Sequence, residues 1–292
     1  MFTHLISALR PAQWVKNFVV FAGVIFARQY HDAEKLLLAA VAFVLFCFVS
    51  SSVYLVNDVI DRTRDQNHPT KRNRPIASGR VPVAVGLLTA VVLALVGLGV
   101  SAALFHPAFP AAIGGYVVLN LAYSLILKHV VILDVMTIAG GFVLRAVGGA
   151  LAVEVPISSW LLLCTTLLAL FLGFGKRRHE LTVLGDKADE HRGILTEYSP
   201  YFLDQMIGVV TASTVVAYAF YTLSPEVQGK LGTHKLFMTV PFVLYGVFRY
   251  LYLIHQRQVG GNPTRVLLTD RPLLITVLLW LTCVLAIMSW HA

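Results

Sequence analysis

The sequence predicts an all-α, polytopic membrane protein with about nine transmembrane helices around a central cavity. Three observations carry that expectation. Hydrophobic residues fill 57% of the 292 positions and charged residues only 13%, at a mean hydropathy of +0.74. That balance leaves too little polar surface for a water-soluble chain of this size. Apolar runs close to the about 20 residues needed to cross a bilayer recur along the whole length. When the runs are threaded alternately through a membrane, the long polar loops all fall on one side.

The runs lie at 15–31, 36–57, 82–105, 108–127, 131–152, 158–175, 204–224, 236–255 and 272–290. Several are short or closely spaced, so eight is the alternative count. With the loop after the second run placed inside, seventeen of the 23 Lys and Arg residues fall on inner segments and four on outer ones. The other two, Arg145 and Arg249, lie within runs. This asymmetry predicts a cytoplasmic N-terminus and function at the cytoplasmic face. The start, MFTHLISALRPAQWVKN, has no short apolar core before a small-residue cleavage site, so no removable signal peptide is expected. Cys47, Cys164 and Cys283 sit in apolar runs without metal-ligand spacing and read as small core residues. No soluble domain, coiled coil or low-complexity linker interrupts the chain, which reads as one integral-membrane domain, 1–292.

Chemistry concentrates in Ser51–Gly79, SSVYLVNDVIDRTRDQNHPTKRNRPIASG, where apolar helix gives way to clustered charge. Asp58, Asp61 and Asp65 are spaced three and four residues apart, within an arc of about 60° on a helix. Carboxylates on one stripe repel, so positive charge is expected between them. Hard divalent cations such as Mg²⁺ prefer oxygen ligands and bridge carboxylates to substrate phosphates. A solvated charged cap on a membrane helix is the simpler alternative. Pro69 and Pro75 interrupt helix in the following loop, and Lys71, Arg72 and Arg74 add positive charge. A metal-loaded carboxylate stripe beside a basic loop suits a diphosphate, although such bases also anchor proteins to anionic lipid.

A second element runs from Tyr123 to Ala150, YSLILKHVVILDVMTIAGGFVLRAVGGA. Lys128 and Asp134 lie near the membrane edge and Arg145 well inside the run. Asp134 and Arg145 share a helix face at roughly 16 Å, too far for contact. An arginine that deep needs an anion, either an internal carboxylate or a substrate phosphate. The glycines at 140, 141, 148 and 149 read as permitting close helix packing. A third element, FGKRRHEL (Phe174–Leu181), supplies Lys176, Arg177 and Arg178, more bases than orientation alone requires, at least one of which reads as a phosphate ligand; Lys176 and Glu180 can pair at i, i+4, and His179 reads as a surface residue. NPTRVLLTDRP (Asn262–Pro272) is either a further wall of the site or a capped helix start. There is no Ser/His/Asp grouping, HExxH, Walker loop or CxxC pair, and Ser51-Ser52 have no companion base. That leaves chemistry by metal and positioned anions.

NDVIDRTRD matches the NDxxDxxxD signature of the UbiA-type membrane prenyltransferase superfamily, and RPIASG is similar to the segment that follows it there. With the HPTK insertion, GFVLRA and FGKRR, the chain resembles the decaprenyl-phosphate phosphoribosyltransferase branch from Arg10 to the last run. Prenyl-transferring members carry a second aspartate-rich motif. Here that region offers Asp134, with Ile138 four residues later, which agrees with the phosphoribosyl branch. The resemblance implies an enzyme that moves phosphoribose from phosphoribosyl diphosphate (PRPP) to a polyprenyl phosphate, with Mg²⁺ as cofactor, in a bacterial plasma membrane. It implies Asp58, Asp61 and Asp65 as metal ligands and Asp58, Asp61 and Asp134 as catalytic. Lys16, Asn57, Lys71, Arg72, Arg74, Tyr123, Lys128, Arg145, Lys176, Arg177 and Arg178 then line the substrate. PRPP, polyprenyl phosphate and the lipid bilayer are the expected partners, with no nucleic acid; a homo-oligomer is compatible with the sequence. An aromatic prenyltransferase and a transporter of a lipid-linked anion are the competing readings.

Overall fold

The structure is a computed structural model that describes residues 1–67, 71–184 and 193–290. The described residues form helices and turns, with eight helices long and apolar enough to cross a membrane. The chain packs as two compact units, 1–157 and 158–292.

The first unit opens with α1 (Phe2–Leu9), a 3₁₀ segment (Pro11–Phe21) and α2 (Ala22–Phe26). These occupy the place of the first expected span. At about 2.0 Å per residue in 3₁₀ and 1.5 Å in α geometry, the two pieces from Pro11 to Phe26 cover about 30 Å, the thickness of a bilayer core. The junction residue, Phe21, keeps helical backbone angles. The tighter helix has a packing reason. In 3₁₀ geometry every third residue is eclipsed, so Trp14, Asn17 and Val20 line one edge. All three are used: Trp14 Nε1 donates to Ser51 Oγ at 3.0 Å, Asn17 is fully buried, and Val20 packs against Gly149. A Cβ on Gly149 would stand 2.0 Å from the Val20 carbonyl oxygen, so only glycine admits this approach. Close packing is thus the role of at least this glycine.

α3 (Ala33–Ile60) is capped by Asp32, whose carboxylate accepts from the N–H groups of Glu34 and Lys35. Of its 28 residues, those from Leu36 to Val56 carry no charge. α4 (Arg62–Gln66) continues it after a break at Asp61. α5 (Val83–Leu104), α6 (Ala108–Leu125) and α7 (Leu133–Ala152) complete the unit. α5 packs along α3 and turns Leu88, Val91, Val92 and Leu95 outward, the all-round apolar pattern of a helix facing lipid. One cluster joins Val20, Phe46, Val49, Phe109, Ile113 and Tyr116 at the α3–α6 contact. A second joins Ala8, Leu55, Ile76, Val81 and Ala90, and so fastens the 74–81 loop to α3 and α5. Ser51 and Ser52 serve packing: their hydroxyls donate to the carbonyls of Leu9 and Ala90.

The second unit holds α8 (Ser159–Leu184), α9 (Pro200–Leu223), α10 (Pro225–Leu231), α11 (Val240–His255), α12 (Pro263–Thr269) and α13 (Arg271–Ser289). Asn262 caps α12 and Asp270 caps α13, accepting from the N–H groups of Arg265 and Leu273 at 3.2 and 2.9 Å. The 262–272 stretch is therefore built as two capped helix starts. The cysteines are unpaired thiols, Cys47 buried and the other two half-buried.

Candidate active site

The aspartate stripe is broken in the middle. Asp61 leaves the α region at ψ 3°, while the bonds from Asp61 N to Asn57 O and from Asp65 N to Asp61 O keep the chain nearly helical. The break separates Asp61 from the other two carboxylates. Asp58 and Asp65 share the guanidinium of Arg74, whose Nη1 lies 3.1 Å from Asp58 Oδ1 and 2.6 Å from Asp65 Oδ2. Arg10 also pairs with Asp58 Oδ1. Asp61 instead meets Lys128, with Nζ 2.7 Å from Oδ1. The positive charge expected between the carboxylates is thus present, supplied by three basic side chains.

Local structure explains each position. Arg10 sits at a left-handed turn (φ 55°) between α1 and the 3₁₀ segment, which aims it at the end of α3. Burial pulls its guanidinium below the ordinary value, against the upward push of Asp58, yet an arginine remains charged. Arg74 has its carbonyl held by Ser78 N and Oγ, and its neighbours Ile76 and Ala77 are buried. Lys128 lies in the 3₁₀ turn Leu127–His129 after α6 and is 6% exposed. Asn57 is oriented by Ser124, whose hydroxyl donates to Asn57 Oδ1 at 3.0 Å. Tyr123, half-buried, neighbours that serine on α6, and Asp134 is fully buried in the first turn of α7. Lys71 is half-buried and Arg72 exposed on the 71–73 turn. His68, Pro69 and Thr70, the rest of the expected insertion, fall outside the described residues.

Arg145 is buried within the same unit and meets only neutral acceptors. Its Nε donates to Asn17 Oδ1 at 2.7 Å, Nη2 to the Tyr116 hydroxyl at 2.7 Å and Nη1 to Gly141 O at 2.9 Å. The guanidinium also lies 4.5 Å from the Tyr116 ring centre. Among the described residues no carboxylate comes within ion-pair distance of it, so the internal-carboxylate alternative is not what the fold uses. Asn17 in turn donates to Cys47 Sγ and Ser50 Oγ. Tyr54 lies close by: Arg10 covers its ring at 5.1 Å and Lys16 approaches its hydroxyl.

The bases of FGKRRHEL belong to the second unit and pair inside it. Lys176 lies 3.7 Å from Glu180, Arg177 is fully buried against the same glutamate, and Arg178 meets Asp204 at 3.1 and 3.5 Å. His179 is half-buried, its Nδ1 accepting from Gly260 N at 3.2 Å, so it anchors the loop before α12. Arg249 grips Asp270 with two bonds of 3.1 and 2.8 Å, which hold that carboxyl below the ordinary carboxylate range.

Could the first-unit carboxylates hold a divalent cation? Among the described residues no three His, Cys, Asp or Glu side chains converge on one point. Arg74 and Lys128 occupy the gaps. The donor chemistry nonetheless fits a hard cation: Asp58 is 1% exposed and its Oδ2 is buried without a hydrogen-bond partner, beside the further oxygens of Asp61 and Asp65. Four residues here escaped the sequence reading: Arg10, Asn17, Tyr116 and Ser124. Arg10 and Asn17 bracket the RPAQWVKN segment that the resemblance covers; Tyr116 and Ser124 carry no local signal.

Buried carboxylates and basic side chains thus meet within an apolar helical frame. The UbiA prenyltransferase family profile matches residues 17–265, and the chain belongs to that family. It is 35% identical to a decaprenyl-phosphate phosphoribosyltransferase of Corynebacterium glutamicum, over 96% of this chain and 85% of that protein. It is 34% identical to the protein of the same name from Mycolicibacterium smegmatis, over 95% and 90%. A solved UbiA homologue from Archaeoglobus fulgidus, bound to GPP and Mg²⁺, shares the fold at a TM-score of 0.71 and 19% identity, covering 98% of this chain and 99% of that one. The protein is a multi-pass membrane transferase of the UbiA family.

Proposed function

We propose that this protein transfers the 5-phosphoribosyl group of PRPP to a polyprenyl phosphate, releasing diphosphate, with Mg²⁺ as cofactor. The observation that carries this is the identity of 32–35% with relatives of that name over nearly the whole chain. The lone Asp134 in place of a second aspartate-rich motif supports it. When bound to Asp58, Asp61 and Asp65, Mg²⁺ would neutralise charge growing on the leaving diphosphate.

The chain's own residues do the rest. Arg10, Arg74 and Lys128 stand beside the carboxylates and supply N–H donors for the remaining diphosphate oxygens, with Lys71 and Arg72 on the adjoining turn. The Asn57 amide, fixed by Ser124, presents its NH₂ group to the substrate, and Tyr123 flanks it. Asp134, in the first turn of α7, is the third catalytic carboxylate. The ribose C1–O bond to diphosphate breaks with its electron pair leaving on the diphosphate, as a phosphate oxygen of the acceptor bonds to C1. That oxygen is already anionic at neutral pH, so no general base is needed. Lys16 and Arg145 are assigned to the 5-phosphate and the acceptor phosphate, while Lys176, Arg177 and Arg178 pair with Glu180 and Asp204 within the second unit. The distribution of Lys and Arg supports a cytoplasmic N-terminus and chemistry at that face of a bacterial plasma membrane.

A second reading, prenyl transfer from a polyprenyl diphosphate to an aromatic ring, is favoured by the GPP bound to the Archaeoglobus homologue. Purified protein with labelled PRPP and a polyprenyl phosphate decides. Label is expected in the lipid phase with Mg²⁺ and not without it. No labelled lipid, together with prenylation of an aromatic acceptor from geranyl diphosphate, would overturn the proposal.

A further inference from the structure

The three carboxylates of the site are already matched by three cationic side chains in direct contact: Arg10, Arg74 and Lys128. A divalent ion added to this arrangement brings two positive charges that none of these three carboxylates is left to balance. It also meets a steric obstacle, because the Arg74 Nη1 stands between Asp58 Oδ1 and Asp65 Oδ2, where an ion shared by those two carboxylates would sit. The buried Asp58 Oδ2 has no hydrogen-bond partner.

Arg74 differs from the other two cations in bridging two carboxylates while its side chain stays within reach of solvent. Its backbone is fixed by the Ser78 bonds and by the buried Ile76, but its side chain is 26% exposed, much like the 25% of Arg10, which pairs with Asp58 alone, and against 8% for the Lys128 side chain. The guanidinium can swing while the loop stays in place. An arginine that leaves two carboxylates needs another anion, and a diphosphate offers the planar two-pronged match that guanidinium prefers.

Resting on the proposed diphosphate chemistry, we propose that Arg74 is an exchangeable internal counter-ion. In the resting site it occupies the bridge between Asp58 and Asp65, so a divalent cation enters only together with a diphosphate that takes over the arginine. The site thus selects a metal–diphosphate complex over either free component, and Arg74 sets that selectivity.

The test is direct binding of Mn²⁺ to the purified full-length protein, followed by its electron paramagnetic resonance signal, with and without inorganic diphosphate. Wild-type protein is expected to bind Mn²⁺ at least tenfold more tightly with diphosphate than without it. Arg74→Gln removes the competing charge, so Mn²⁺ alone should bind several-fold more tightly and the gain from diphosphate should shrink. Arg80→Gln, at an exposed position late in the 74–81 loop, controls for loss of a nearby positive charge and should leave Mn²⁺ affinity without diphosphate unchanged. Equal Mn²⁺ affinity with and without diphosphate in wild-type protein, unaltered by Arg74→Gln, would overturn the exchange while leaving the metal site standing. No Mn²⁺ binding under any condition would overturn both this inference and the metal-dependent reading it rests on.

Discussion

The Nε of Arg145 donates to the Oδ1 of Asn17 at 2.7 Å across 128 positions of sequence. This bond ties the 3₁₀ segment to the middle of α7 and supplies a neutral acceptor to a buried cation. Together with Tyr116 and Gly141 it satisfies three of the five guanidinium N–H groups. Asn17→Ala removes one acceptor of a charged donor, and a loss of about 1–3 kcal/mol in stability is expected. Tyr116→Phe should lose a similar amount or less. Thermal unfolding in detergent reads both. If either variant melts as wild type does, the cluster is not a structural support. Arg145→Lys keeps the charge without the fork and should fold while raising the apparent KM; normal kinetics in a folded Arg145→Leu protein would remove Arg145 from the site.

Asp61 pairs with Lys128 and is proposed to hold metal. Asp61→Asn keeps the shape and a hydrogen-bond acceptor for the lysine, so the protein should fold and lose turnover. Activity at the wild-type level with saturating Mg²⁺ would exclude Asp61 as a ligand.

The donor can be identified without turnover. PRPP with Mg²⁺ should raise the melting temperature by mass action, and by more than farnesyl diphosphate with Mg²⁺ does. The opposite order would favour prenyl transfer.

Gly149 faces the Val20 carbonyl with no room for a methyl group. Gly149→Ala should force the 3₁₀ segment away from α7 and destabilise the first unit by about 3 kcal/mol, the upper range for overpacking. A wild-type melting temperature for this variant would mean that the segment shifts freely.

Asp270 gives a pH-dependent contribution of known sign. Its folded pKa is depressed by the Arg249 bonds, so its stabilising effect is fully present above the unfolded value of about 3.9 and fades as pH falls through the lower folded value. Asp270→Asn retains a helix cap but loses the charge. The melting difference between wild type and this variant should be constant from about pH 5 to 8 and shrink below about pH 4. A difference that grows on acidification would contradict the assignment.

Much of this was legible in the sequence, for identifiable reasons. Membrane spans follow from runs of apolar residues, and the end of α3 follows from the sudden charge at Asp58. The i, i+4 partner of Lys176 and the caps at Asn262 and Asp270 are local and could be read. What was not legible depends on distant contacts. Periodicity places Asp58, Asp61 and Asp65 on one stripe, but Lys128, 67 positions beyond Asp61, engages the member that the break at ψ 3° sets apart. Nothing near Arg145 announces that Asn17 will be its acceptor. The first span was expected as an ordinary helix because hydropathy does not distinguish α from 3₁₀ geometry.

That geometry reverses a familiar rule of protein engineering. Residues 11–21 keep Trp14, Asn17 and Val20 aligned because the chain turns once every three residues. Rewound as an α-helix, positions six apart would diverge by about 120°, and the indole, the amide and the valine could no longer meet Ser51, Arg145 and Gly149 together. Val15, Val19 and Val20 are poor α-helix formers, which here is an advantage. Replacing exposed or half-exposed positions such as Phe18 or Val19 with alanine or leucine, the usual route to a sturdier helix, would strengthen the wrong winding. A thermostability campaign on this protein should therefore leave 11–21 untouched and direct its helix-promoting substitutions to the lipid-facing side of α5.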